Sequence, residues 1–270
     1  MKSFLLSFPR LQISVTVPDE IAGDIQEAFF HSIHPGTNLP LQHEYVIEST
    51  PNGLTLLKDG QSKGVFASWI DLICRLEEDI ENTLIRAIGN WVGFHAGAVM
   101  IGDSACVITG NPDTGKTTAS FNLIEMGHMF LCEEVCPVDP KTLLVYPYPQ
   151  VLSMDKVYAK EYLLSDTVEK GELTLFDLDM ARYRPFQAGK EPLPLKTIIL
   201  PAYDPSSTPG IENLSPGDVL IELLGYCFPP NTGEEYLFDS VIRICEESEI
   251  FRIRTNDQYS MRQLLTEIFS

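Results

Sequence analysis

Residues 110–117 read Gly110-Asn111-Pro112-Asp113-Thr114-Gly115-Lys116-Thr117, a complete G-x-x-x-x-G-K-[ST] (Walker A) loop. The apolar run 105–109 leads into it, and the helix-like stretch 118–126, starting at Thr118, follows. Strand, Gly-rich loop and helix in that order make a phosphate cradle. The glycines let successive backbone N–H groups converge on phosphate oxygens, the lysine reaches the β/γ-phosphates, and the Thr117 hydroxyl is placed to ligand Mg²⁺. The helix start adds its positive dipole end.

An acidic pair follows soon. Ala119, Phe121, Leu123, Ile124 and Met126 give the loop helix apolar positions, and Gly127 reads as its C-terminal cap. The apolar segment 129–132 then reads as a buried strand that delivers Glu133 and Glu134. Adjacent residues on a strand point to opposite faces, so at most one of these carboxylates is expected to face the cradle unless the strand ends there.

A histidine enters by register. Segments 94–101 and 105–109 are separated by Gly102-Asp103-Ser104, which is hairpin chemistry. A two-residue turn at Gly102 and Asp103 pairs Ile101 with Ser104, and continuing that register sets His95 opposite Gly110. A slip of one residue would turn the ring to the other face.

These residues carry a resemblance. The stretch from His95-Ala96-Gly97 through the loop to Gly127-His128 and Glu133-Glu134 resembles the core of HPr kinase/phosphorylase and its shorter HPr kinase-related relatives. Their nucleotide domain is similar to that of phosphoenolpyruvate carboxykinase. The family pattern has a histidine fifteen residues before the first loop glycine, a Gly-His pair after the loop helix and an acidic pair after the next strand, spacings repeated here without a gap. A Pro-rich stretch at Tyr146-Pro147-Tyr148-Pro149 and an apolar strand at 196–200 are weaker matches.

The resemblance implies an ATP- and Mg²⁺-dependent kinase that phosphorylates a hydroxyl of Ser or Thr on a protein or peptide. It implies a mixed α/β (α+β) P-loop fold. Residues Gly110 to Thr117 and Thr118 would bind nucleotide, Lys116 would serve the transferring phosphates, Glu133 would act as base, and His95 would assist. Thr117 and Glu134 would serve the metal. Three departures stand out: Glu133-Glu134 where Asp-Asp or Asp-Glu is usual, Asp113 where relatives commonly have glycine, and no counterpart of the Gly-rich signature of the bifunctional enzymes. The first two are what a nucleotide-binding regulatory or adaptor protein without transfer activity would display. A kinase of a small hydroxylated metabolite is a further alternative.

Composition bounds the partners. With 270 residues, 44% of them hydrophobic, the chain can bury one or two cores. A net charge of −19 argues against a nucleic-acid partner, since phosphate backbones need Lys/Arg surfaces, and fits a solvated acidic surface first and a basic peptide acceptor second. The apolar run in 1–8 is too short for a signal peptide, and no stretch has the length of a membrane span. Cys74, Cys106, Cys132, Cys136, Cys227 and Cys245 lie mostly inside apolar segments, as reduced core residues of a cytoplasmic protein do. Cys132 and Cys136 lack a second Cys/His pair at zinc spacing. The oligomeric state is left open, a homo-oligomer included.

Two unequal parts are expected: a small N-terminal α+β domain, 1–90, and a P-loop kinase domain, 91–270. In the first, Leu11, Ile13, Val15 and Val17 alternate as a half-buried strand, 19–30 reads as a helix, and 44–47 and 54–57 read as strands. His31, His34 and His43 are placed in a surface loop with Pro35, Gly36 and Pro40. Ser68 caps a long amphipathic helix, with Asp71 three residues on and Trp69, Ile73, Leu76, Ile80, Leu84 and Ala87 on one face. In the second part, 161–171 reads as charged helix or loop, and Arg182, Arg184 and Lys190 are candidate phosphate or substrate contacts, with a plain solvated loop as the stronger reading. Pro216 opens a helix after Ser215, and 261–269 is a C-terminal helix.

Overall fold

The computed structural model describes residues 1–33, 39–163, 168–177, 179–229 and 231–269. The chain forms two compact units, Met1–Ile88 and Gly89–Ser270, of mixed α+β structure. His34, Pro35 and Gly36 lie outside the described residues, as do 164–167 of the expected charged segment.

The first unit runs β1 (Lys2–Phe8), β2 (Leu11–Val17), α1 (Ala22–Ala28), β3 (His43–Thr50), β4 (Gly53–Lys58), β5 (Gln61–Phe66) and α2 (Trp69–Ala87). Among the described residues its sheet has the order β1-β2-β3-β4-β5. The expected helix over 19–30 is shorter, because 3₁₀ turns at Asp19–Ile21 and Phe30–Ser32 flank α1. His43 is not in a loop: it begins β3, and its Nδ1 lies 2.7 Å from Asp59. The Ser68 hydroxyl accepts from Asp71 N–H at 3.2 Å, the expected cap of α2. Ile73, Leu76, Ile80 and Leu84 are buried, whereas Trp69 is exposed at the first turn.

The second unit continues with β6 (Val92–Ile101), β7 (Ser104–Thr109), α3 (Lys116–Glu125), β8 (Met129–Cys132), β9 (Val135–Asp139), β10 (Leu144–Val145), β11 (Leu152–Asp155), α4 (Lys156–Leu163) and β12 (Gly171–Leu175). Then come β13 (Met180–Pro185), β14 (Leu193–Tyr203), β15 (Gly210–Leu214), α5 (Pro216–Gly225), α6 (Glu234–Glu246), β16 (Glu249–Thr255) and α7 (Gln258–Phe269). The main sheet has the order β10-β9-β6-β7-β14-β16-β15, with β8 also on β6. Strands β7, β14 and β16 are parallel neighbours, so their C-terminal ends Thr109, Tyr203 and Thr255 share one edge. The Gly-rich loop leaves the sheet there, at the kind of edge where open α/β sheets place ligands.

The β6–β7 hairpin has the expected register, Ile101 with Ser104 through Ala96 with Thr109. Gly102 at its turn has φ +60°, which a two-residue hairpin turn requires. Helix α3 ends in a Schellman motif: Gly127 at φ +98° donates to Ile124 C=O at 2.9 Å and His128 N–H to Leu123 C=O at 3.1 Å. Helices α3 and α7 share one core, in which Ala119, Leu123, Ile124, Leu264 and Leu265 meet Ile108, Ile199 and Ile253 of the sheet.

A second sheet, β11-β13-β12, is tied to α3 by Glu125. This buried carboxylate accepts from the Tyr183 hydroxyl at 2.6 Å and from the N–H groups of Glu169 and Lys170 at 2.8 and 3.1 Å. Arg182 and Arg184 lie on β13 rather than in a loop: Arg182 stacks 3.5 Å over the Phe176 ring and Arg184 pairs with Glu172. No helix among the described residues is long and apolar enough to cross a membrane.

Candidate functional site

The loop is committed at its root and free at its crest. The Lys116 ammonium donates to Gly110 C=O and Asn111 C=O, each at 3.0 Å, which stands it across the loop mouth. Asn111 C=O also accepts from the Thr114 hydroxyl at 2.8 Å. Among the described residues the N–H groups of Asp113, Thr114, Gly115, Lys116 and Thr117 make no backbone hydrogen bond. Five unpaired donors on one concave turn are the anion-binding element of such loops. Burial lowers the Lys116 pKa, while the charges of Glu134, Glu133 and Asp113 act to raise it.

The loop also accounts for Asp113. Its φ is +62°, in the left-handed region, beside Gly115 at +103°. Glycine adopts that conformation without cost, and aspartate is among the few other residues that tolerate it.

The carboxylates depart from the expected alternation. Strands β8 and β9 both pair with β6, with Ala98 opposite Cys132 and His95 opposite Val135. Between them Val135 N–H closes on Glu133 C=O at 2.8 Å, with Glu134 at φ +64°, a three-residue γ-turn of the rare left-handed kind. The turn breaks the period of two, so both carboxylates serve the loop side. Glu133 Oε1 accepts from the Thr117 hydroxyl at 2.8 Å, and Glu134 Oε2 lies 2.8 Å from His95 Nε2. Strand β8 ends at Cys132, just before the pair, which is the case in which alternation does not limit the cradle to one carboxylate. Such backbone strain costs on the order of 1–3 kcal/mol and is concentrated at functional sites.

Strand β8 is held from outside as well. Leu131 C=O accepts from Tyr148 N–H at 2.9 Å, and Phe130 C=O from Gly189 N–H at 2.7 Å. The Pro-rich stretch at 146–149 therefore lies along the strand that carries the glutamates.

Gly97 makes the room for Glu133. A Cβ there would stand 2.5 Å from Ser120 Oγ and 2.7 Å from Glu133 Oε2. Those two buried atoms have no hydrogen-bond partner. The two residues His95 and Gly97 are two apart on β6 and share its face, so the ring is on the side of α3 and the loop. Only 4% of Glu133 is exposed, and its pKa is pushed up to about 7, chiefly by burial and then by Glu134; Thr117, Lys116 and His95 act the other way. The Glu134 carboxyl is held below its ordinary range, first by its bond to His95.

The structure thus brings together Lys116, Thr117, Glu133, Glu134 and His95. It leaves Arg182 and Arg184 engaged in the second sheet. Sequence reasoning missed Gly97 and Ser120, although Ser120 stands one helical turn beyond Lys116, which could have marked it. Among the described residues no group of three or more His, Cys, Asp or Glu is arranged to hold a metal. The available donors, one hydroxyl and two carboxylates, are hard oxygen ligands. They suit Mg²⁺, which keeps waters and substrate phosphates in its shell. Cys132 and Cys136 are both buried free thiols.

No protein-family profile matches the chain, and no curated protein matches it. Among solved structures it is similar to the Hpr(Ser) kinase/phosphatase from Coxiella burnetii, at 10% identity over 66% of this chain and 99% of that chain, with a TM-score of 0.28. A score that low carries no argument, and the functional reading rests on the residues of this chain.

Proposed function

We propose that this protein is an ATP-dependent kinase that transfers the γ-phosphoryl group to a hydroxyl, that of serine or threonine on a protein or peptide. The observation that carries the reading is the convergence of a free-crested phosphate loop with Lys116, Thr117–Glu133 and His95–Glu134. Phosphoryl transfer asks a protein mainly for positioning and charge neutralisation.

In this reading the N–H groups of residues 113–117 and the Lys116 ammonium hold the phosphates. Glu133, with a pKa of about 7, accepts the proton of the attacking hydroxyl as its oxygen bonds to the γ-phosphorus and the β–γ bridge breaks to release ADP. His95 and Glu134 hold each other beside it. Thr117 and Glu134 would hold Mg²⁺, which supplies neutralisation of phosphate charge when bound.

A second reading, a nucleotide-binding regulatory protein without transfer activity, is favoured by the Asp113 carboxylate acting on Lys116. Incubation with [γ-³²P]ATP, Mg²⁺ and whole-cell extract separates the two. Labelled phosphoserine or phosphothreonine that depends on Glu133 supports the kinase; nucleotide binding with no labelled acceptor supports the regulator. Label on a small molecule moves the acceptor to a hydroxylated metabolite.

A further inference from the structure

One face of α3 carries two hydroxyls, those of Thr117 and Ser120, which are three residues apart and so neighbours across one helical turn. The first is engaged: it donates to Glu133 Oε1 at 2.8 Å. The second is fully buried, and its oxygen has no hydrogen-bond partner. A serine inside a helix ordinarily relieves itself on the carbonyl four residues back. Ser120 does not, and its Oγ stands beside Gly97 instead.

Across the same glycine lies the other oxygen of the same carboxylate. Ser120 Oγ and Glu133 Oε2 are 2.5 and 2.7 Å from the single point where a Gly97 Cβ would sit, so the two atoms are neighbours over the bare backbone of β6. Glu133 Oε2 is likewise buried and without a partner. An unsatisfied buried hydroxyl is costly, and an unsatisfied buried carboxylate oxygen more so. A donor and an acceptor on either side of one glycine remove both costs together by a hydrogen bond, made directly when the serine side chain turns or through one water. Cys132 C=O, 3.7 Å from the same point, is a third polar group for such a water.

We propose that Ser120 is a positioning residue for Glu133, its hydroxyl serving Oε2 as the Thr117 hydroxyl serves Oε1. Gripped at both oxygens from one turn of the loop helix, the carboxylate cannot spin about its last bond. Oε1 stays on the loop side, where the acceptor hydroxyl arrives, and Oε2 is kept against β6. Ser120 touches neither nucleotide nor acceptor and acts only through Glu133. This role rests on the kinase reading above.

The test uses the full chain and three readouts, two of which need no nucleotide. A hydroxyl that lacked a partner would make Ser120→Ala stabilising, because deleting an unsatisfied group relieves its cost; a hydroxyl that serves Oε2 makes the same change destabilising. The urea midpoint of Ser120→Ala should therefore fall, and in a Glu133→Met background, which has no carboxylate to serve, the fall should vanish. Infrared difference spectra against Glu133→Gln, recorded in alkaline buffer with carboxyl-labelled glutamate, isolate the Glu133 carboxylate band, which should shift in Ser120→Ala. In the transfer assay kcat should drop by about 10- to 100-fold, the cost of a misplaced catalytic group, with KM for MgATP within about twofold.

A midpoint that is unchanged or raised, or a carboxylate band that does not move, overturns the contact. So does an equal fall in the Glu133→Met background, which marks a serine that merely packs. A shifted band with wild-type kcat overturns the positioning role. A wild-type protein that transfers no phosphate defeats the kinase reading, and the role with it, while the midpoint and the band still report whether the contact exists.

Discussion

The Thr117 hydroxyl on the loop helix and the Glu133 carboxylate beyond β8 are sixteen residues apart in the chain and 2.8 Å apart in the fold. That one bond joins the Gly-rich loop to the buried acid, and it favours the charged form of a group that burial drives toward neutrality.

The pH dependence follows from that balance. Glu133 has a folded pKa of about 7 against an ordinary 4.5, so between these values the folded state holds more protons than the unfolded one. Stability from this group is present at low pH and lost as pH rises through about 7, by on the order of 2–3 kcal/mol between pH 5 and 8 at about 1.36 kcal/mol per unit. Glu133→Gln should lack that slope. Urea unfolding at several pH values checks it, and parallel stability curves for the two proteins would defeat the assignment.

The same substitution separates catalysis from binding. Glu133→Gln should leave MgATP affinity within about twofold and lower phosphoryl transfer by about 100- to 10,000-fold, the range for removing a general base. Glu133→Asp should retain measurable transfer. Wild-type rates in Glu133→Gln would shift the base to Glu134.

Lys116→Ala should abolish stabilisation by MgATP. Saturation at about 100 times the dissociation constant stabilises a binder by about 2.7 kcal/mol, seen as a rise in melting temperature. Equal rises in wild type and variant would end the phosphate-loop reading.

Asp113→Gly tests the loop itself. It relieves a left-handed φ of +62° and removes a carboxylate acting on Lys116. Stability should change by less than about 1 kcal/mol, because relieved strain is offset by added chain entropy. MgATP affinity should rise by a few-fold. Weaker binding, measured by calorimetry, would mean that the carboxylate serves the cradle.

Gly97→Ala should crowd the base. Its Cβ would meet Ser120 Oγ at 2.5 Å and Glu133 Oε2 at 2.7 Å, contacts that force displacement at a cost of about 1–3 kcal/mol. Adding Ser120→Ala should recover part of that loss by removing one of the two obstacles. A Gly97→Ala protein as stable and as active as wild type would show that the carboxylate does not need the space.

The local chemistry of this chain was legible in one dimension. The Gly-rich loop, the Gly102-Asp103 turn with its hairpin register, the Gly127 cap and the Ser68 cap each depend on residues within a few positions of one another, so backbone preference and hydrogen-bonding inventory decide them. Tertiary structure decided the rest of the site. Alternation sends Glu133 and Glu134 opposite ways only if the strand continues through them; the pairing of β8 and β9 with one strand, β6, ends β8 at Cys132, puts a left-handed turn at Glu134 and brings both carboxylates toward the loop. The burial that raises Glu133 and the space left by Gly97 both come from segments distant in sequence. A carboxylate's desolvation and partners are set by what packs on it, which no local pattern records.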